Sequence, residues 1–361
     1  MIAVRALRPA LLPLISILCA FVVGGAGVAL TGANPVLAFT ALVQGAFLND
    51  GAFPETLVAT IPYLFLGLAV AVGFRGGLFN IGADGQLYMG AIAGAVIGVA
   101  VPGLPGAVHI PLALLGALAA GGVYGGLAGV LKARFGAHEV ITTIMLNYCA
   151  YSIADWLIDH GPLMDPRMSA SPRTLPVAGT AQLPLLLPDS RLHIGLLIAL
   201  AAIPVIWFLL ERTTTGFRIR AVGLNQHAAR AAGIRVGVTT ALVMAISGGL
   251  AGLAGGDEVL GLTHYMPPRF SIGYGFDAIA IALLARSSPW GILPSALLFG
   301  AMRSGAGFMQ LQTQVSADLI SVVQAIVIMF VGAPLLVRWL FRLRIGTERD
   351  AQITQREELT S

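Results

Sequence analysis

Long apolar runs separated by short polar breaks make up most of the 361 residues. A membrane-spanning helix needs about 20 mostly apolar residues. Ten stretches meet or approach that length: 10–30, 56–74, 84–101, 111–131, 139–159, 192–210, 238–256, 270–285, 289–307 and 318–337. The pattern predicts an all-α polytopic membrane protein with about ten transmembrane helices. The eighth stretch is short. Were it to re-enter rather than cross, the arginines from Arg338 onward would change sides, so a crossing is expected. Gly121, Gly125 and Gly129 are spaced by four, as are Gly248, Gly252 and Gly256. That spacing lets helix backbones approach closely in lipid. It predicts tight packing and says little about a substrate.

The longest readable polar interruption is Glu211–Gly237, with five arginines (Arg212, Arg218, Arg220, Arg230, Arg235) against Glu211. Its spacing predicts a short helix over Gln226–Ala232. Asn225 is a good N-cap, because its side chain can accept from first-turn amides. Gly233 is a good stop, because it can adopt the left-handed conformation that ends a helix. Two turns are not stable alone in water, so the segment needs a surface, and Leu224 and Ile234 flank it. Two readings stay open: a docking element for a partner at the inner face, or an ordinary arginine-rich cytoplasmic loop.

Composition strengthens the membrane reading. The chain is 57% hydrophobic and 11% charged, where soluble domains carry about 25% charged residues. With both termini cytoplasmic, 16 of the 21 basic residues lie inside, as the positive-inside bias requires. Arg5 and Arg8 precede an apolar run longer than the core of a signal peptide, so a retained first span is expected. Cys19 and Cys149 both fall in apolar runs, and no disulfide framework is expected. A membrane domain over 1–345 and a polar cytoplasmic tail over 346–361 follow. Residues 35–47 form an amphipathic piece expected at the interface. The outer loop 161–191 carries six prolines and is either a binding surface or a tether.

Polar residues inside the apolar runs are candidates for a path or gate. Phe79, Asn80, Asp84 and Gln86 sit among glycines where the second span passes to the third. Irregular backbone at membrane depth is tolerated only within protein or beside a cavity, so this is either a broken, path-lining helix or a tight cytoplasmic turn with Asp84 capping the third span. Asn147 lies at mid-span and must face protein or water. It either contacts a solute or bonds a neighbouring helix. Asp277 lies inside the eighth span, to pair with a neighbour or line the path. Asp257 and Glu258 are read as solvated end residues of the seventh span. His138, His160 and His264 lack a metal-site spacing, and no catalytic cluster is evident.

Active transport needs an energy source. A phosphate-binding loop of the Walker type requires lysine followed by Ser or Thr. The single lysine, Lys132, is followed by Ala133. If ATP drives this protein, another polypeptide binds it. An ion-coupled carrier would instead keep mid-membrane acids as relays, with Asp277 the strong candidate.

The stretches GLFNIGADGQLYMGA (77–91), KARFGAHEVITTIMLNY (132–148), TTTGFRIRAVGLNQHAARAAGI (213–234), ISGGLAGLAGGDEVLG (246–261) and GYGFDAIAIALLARSSPWG (273–291) resemble the permease subunits of bacterial ABC importers. The likeness is to the nucleoside-type group within the ribose and branched-chain amino acid permeases. Asp84 stands where the family more often has glutamate, and Ala285 where it usually has glycine. The resemblance implies a multi-pass permease of the bacterial inner membrane with no cofactor of its own. ATP and Mg would sit on a separate ATPase. A second, similar permease and an extracytoplasmic solute-binding protein, often a lipoprotein, complete the assembly; no nucleic acid partner is implied. Gly216, Arg218, Gly223, Asn225, Ala229 and Gly233 match the family's coupling segment, which seats in a groove of the ATPase. The implied solute is a nucleoside, with a simple sugar or other small polar solute as the alternative.

Overall fold

The computed structural model describes residues 18–332, apart from 20, 31, 102, 169–170, 272, 315 and 317. The expected placements of both termini, the start of the first span and the 346–361 tail lie outside the described residues. Helices account for nearly all regular structure there, in the order α1 (Phe21–Leu30), α2 (Pro35–Val43), α3 (Ala52–Arg75), α4 (Ala83–Ala100), α5 (Gly106–Phe135) and α6 (Glu139–Asp159). Then come α7 (Gly195–Arg212), α8 (Thr214–Leu224), α9 (Gln226–Ala231), α10 (Val236–Asp257), α11 (Tyr274–Leu284), α12 (Pro289–Thr313) and α13 (Asp318–Gly332). Six are long and apolar enough to cross a membrane: α3, α4, α5, α7, α12, and α10 with its wide-turn continuation to Thr263. The chain is therefore an all-helical, multi-pass membrane protein.

At the centre stands α3, with Ile61 to Gly73 buried throughout. A helix apolar on every side belongs inside a bundle, and α3 contacts α10, α11 and α12. The glycine rows fix its neighbours. A methyl group on Gly121, Gly125 or Gly129 would overlap the backbone of α10, and one on Gly90 would overlap Gly252. So α5 and α4 lie against α10 with backbones touching, as small residues permit. At the edge, α2 buries Ala38, Ala41 and Leu42 in a satellite core with Met302, Ala306 and Met309 of α12.

The two ends of the bundle differ. At one, the basic end, Glu211 bridges Arg75 and Arg220 at 3.4 Å each, and Lys132 pairs with Glu139 at 2.6 Å. At the other, the far end, residues 171–183 are laced onto the helices and their neighbouring loops. Amides of Thr174, Val177, Ala178 and Leu183 donate to carbonyls of Met266, His264, Gly98 and Leu260. This proline-rich segment is an ordered cover.

Two helices begin near mid-height. After α3 ends at the basic end, Gly77 turns in the left-handed region (φ 68°). Residues 78–82 then run back into the bundle without helical form. Asn80 reaches Ser247 on α10, eleven residues above Val236, or about 16 Å at 1.5 Å per residue. From there α4 climbs to the far end. In the opposite sense, residues 264–271 descend from the far end, and α11 starts only at Tyr274. The eleven residues of α11 cover about half of a 30 Å hydrocarbon core. At its basic end Ser287 accepts from Arg75 Nε at 3.0 Å. Within the short eighth stretch, 270–285, the helix occupies 274–284. Phe79-Asn80-Ile81-Gly82 and Phe270-Ser271-Ile272-Gly273 precede the two half-helices in the same register.

Candidate functional site

The half-helices meet head to head at Asp84. Its Oδ1 accepts from Gly275 N in the first turn of α11 at 3.0 Å and from Ser271 Oγ at 2.6 Å. Its Oδ2 accepts from Tyr151 Oη at 2.5 Å. Asp84 also sits in the first turn of its own helix. Two helix N-termini therefore face one another, each carrying the positive end of a dipole. One carboxylate between them compensates both. Gly275 has no room for a Cβ against Asp84, so the contact is backbone-close.

Around this joint the candidate polar residues are mutually satisfied. Asn80 Nδ2 donates to Gln86 Oε1 and Ser247 Oγ at 2.8 Å each, and Asn80 Oδ1 accepts from Gly82 N and Gln86 Nε2 at 3.0 Å each. Ser247 Oγ donates in turn to Ala69 O at 2.6 Å. Asn147 Oδ1 accepts from Gly85 N at 2.8 Å, and its Nδ2 donates to Ile81 O at 3.0 Å. Buried polar groups demand such partners. In this state the amides fasten the broken segment to α6 and α10. Phe79 is half-exposed, its ring 4.8 Å from that of Phe74. Asp277 lies two residues past Gly275 on α11, and its Oδ2 accepts from Tyr63 Oη of α3 at 2.8 Å. So Asn80, Asp84, Gln86 and Asn147 come together around the start of α4, while Asp277 is bonded separately to α3.

Asp257 and Glu258 correct an expectation. They are not exposed end residues: both are buried, because α10 does not end there but continues in wider turns from Glu258 to Thr263. Five further residues, Val259–Thr263, carry the helix past them.

The second cluster lies at the basic end. Asn225 Oδ1 accepts from His227 N at 2.9 Å and Ala228 N at 3.0 Å, and Gly233 has φ 80°. Both ends of α9 are thus set by the residues expected. Ala229 is buried with Val222 and Val236, while Gln226, His227 and Ala228 are exposed. Ahead of it stands α8, which apolar periodicity did not reveal; Thr213, whose side chain accepts from Gly216 N, is the signal that could have. Gly216 packs on the last carbonyls of α7, and Gly223 on Arg75 O. Arg218, Arg230 and Arg235 are exposed beside the helix. The α8–α9 unit is a capped, cationic knob held against α3 and α7.

A bundle of membrane-spanning helices in which short α11 meets the start of α4 inside the bundle, with a cationic knob at one end, is the architecture of a multi-pass membrane protein with a polar joint at its centre. Residues 53–332 match the family described as branched-chain amino acid transport system / permease component, and the chain belongs to that family. It is similar to the guanosine ABC transporter permease protein NupP of Bacillus subtilis, 39% identical over 93% of this chain and 97% of that protein. It is also similar to the nucleoside ABC transporter permease protein NupB of Lactococcus lactis, 34% identical over 91% of this chain and 92% of that protein. The glucose ABC transporter permease protein TsgB13 of Haloferax volcanii is 33% identical over 88% of this chain and 86% of that protein.

Proposed function

We propose that this chain is the membrane-spanning subunit of an ATP-driven importer for nucleosides. Its membership of the permease family and its likeness to the guanosine and nucleoside permeases support this reading. In it, residues 1–345 form the permease domain with both termini cytoplasmic, 346–361 are a cytoplasmic tail, and ten crossings place the protein in the bacterial inner membrane. The basic end faces the cytosol and the far end faces outward, as the distribution of arginine and lysine favours.

The observation that carries the coupling role is the knob. A helix as short as α9, capped at both ends and flanked by exposed arginines, has geometry suited to a groove on another protein. Gly216, Arg218, Gly223, Asn225, Ala229 and Gly233 form or shape that contact with an ATPase subunit, which binds ATP and Mg. A second permease and an extracytoplasmic binding protein complete the importer. Because Gly223 rests on Arg75 O and Arg75 holds Ser287 O, movement of the knob reaches the ends of α3 and α11 directly. The Asp84 joint and its neighbours Phe79, Asn80, Gln86, Asn147 and Asp277 are the gate that this movement opens. A solute-driven shift requires only that the solute bind the two states unequally.

Purified alone, the chain should show no ATPase activity; expressed with its neighbouring genes, it should copurify with an ATPase and take up labelled guanosine. ATP hydrolysis by the lone chain would overturn the reading. The likeness to the glucose permease favours a second reading, a simple-sugar importer. Competition of guanosine uptake by ribose and glucose separates the two.

A further inference from the structure

A cavity of about 560 Å³ opens at the far end between residues 49–55 and 189–191 and runs inward along α3 and α12 to Tyr274. Its mouth carries the ion pair of Arg191 with Glu55. Deeper, Glu258 on the α10 continuation and Arg303 on α12 both line it. Glu258 is buried (9% exposed). Among the described residues, neither side chain has a hydrogen bond or an ion pair. A buried carboxylate without such a partner is costly. Opposite charges on one cavity wall normally close on each other; here Glu258 and Arg303 share the wall without forming an ion pair. The lining holds four acids, Asp50, Glu55, Asp189 and Glu258, against two bases, Arg191 and Arg303.

We propose that this cavity is the solute site, and that it takes a neutral nucleoside and refuses the corresponding nucleotide. The assignment rests on the nucleoside reading above. The volume falls in the range that holds a small organic ligand. Glu258 can accept from two adjacent hydroxyls, as a ribose diol offers. Arg303 can donate to the carbonyl or ring nitrogen of a base. The excess of acids over bases in the lining disfavours a phosphate. The floor matters as much as the walls. Tyr274 is the first residue of α11, and the next residue, Gly275, is the one bonded to Asp84. Solute in the cavity touches the half-helix at its joint.

The test uses the complete importer in membranes, with Cys19→Ala and Cys149→Ala in this chain and Ser304→Cys added in the cavity wall. The readout is the rate of labelling by a methanethiosulfonate amine. Guanosine at ten times its half-saturating concentration should slow labelling by about tenfold, from simple occupancy. Guanosine monophosphate at the same concentration should leave the rate unchanged. Adding Glu258→Gln should abolish protection by guanosine while the unprotected rate stays within twofold, which shows the wall intact. Equal labelling with and without guanosine, in an importer that carries guanosine, overturns the cavity assignment alone. Protection by the monophosphate overturns the charge argument. Protection by glucose, with guanosine neither protecting nor carried, overturns the nucleoside reading and this assignment with it.

Discussion

Replacing Asp84 by alanine tests the joint between the half-helices. The carboxylate accepts from three donors, Tyr151 Oη, Ser271 Oγ and Gly275 N. Alanine strands all three inside the bundle, at roughly 1–3 kcal/mol for each buried unpaired group. Taking the lower half of that range, because water can follow a shortened side chain, the loss is about 3–6 kcal/mol. Asparagine keeps the shape and one acceptor oxygen, and its amide can donate to the Tyr151 oxygen, so only charge assistance and one acceptance are lost, about 1–2 kcal/mol. Domains of 150–250 residues lose about 2–4 °C of Tm per kcal/mol; a larger bundle takes the lower figure. Asp84→Ala should therefore melt about 6–12 °C below the parent protein, and Asp84→Asn about 2–4 °C below. The assay is thermal unfolding of the purified protein in detergent, followed by the loss of monodisperse protein. If Asp84→Ala melts within about 2 °C of the parent, the carboxylate is not what joins α4 to α11.

Gly252→Leu should prevent assembly of α4, α5 and α10, since even a methyl there overlaps the backbones of Ala117 and Gly121; normal yield and melting would contradict the packing described. Gly233→Pro forces φ to about −65° where the chain has φ 80°, and Ala229→Trp cannot fit the small core under α9. Both should abolish uptake and ATPase copurification while leaving membrane insertion intact, and unchanged transport in either would remove the docking role. In the 161–191 cover, the Arg167 amide, then the Arg167 and Arg173 guanidinium groups, hold the Asp165 carboxyl below its ordinary value of 3.8. A depressed carboxylate stabilises above its ordinary pKa and loses that contribution as pH falls through the lower, folded value. Pepsin cleavage within 161–191, normalised to the free peptide, should therefore rise as the pH is lowered below the ordinary value of 3.8. Asp165→Asn should remove the difference, and a pH-independent rate in the parent protein would refute the role of Asp165.

Sequence alone set the class of protein, the helix-rich architecture and the caps of α9. Apolar length and the 3.6-residue repeat are local properties, and so is an Asn side chain that reaches amides two and three residues ahead. The glycine rows of α5 and α10 announced close packing for the same reason. Three features were beyond that kind of reading. Gly77–Gly82 has the same sequence whether it turns at a surface or at mid-depth. Only the register of α4 against α10, with Asn80 on Ser247 and Gly90 on Gly252, lifts it into the bundle. Asp257 and Glu258 look like a span end until the extra wide turns of α10 bury them. Glu258 and Arg303 are 45 residues apart in sequence, and only the tertiary fold brings them to one cavity. What depends on contacts within about four residues was written in the chain itself. What depends on how one helix slides along another was decided by packing, because a shift of a single turn, about 5.4 Å, would separate every one of those pairs.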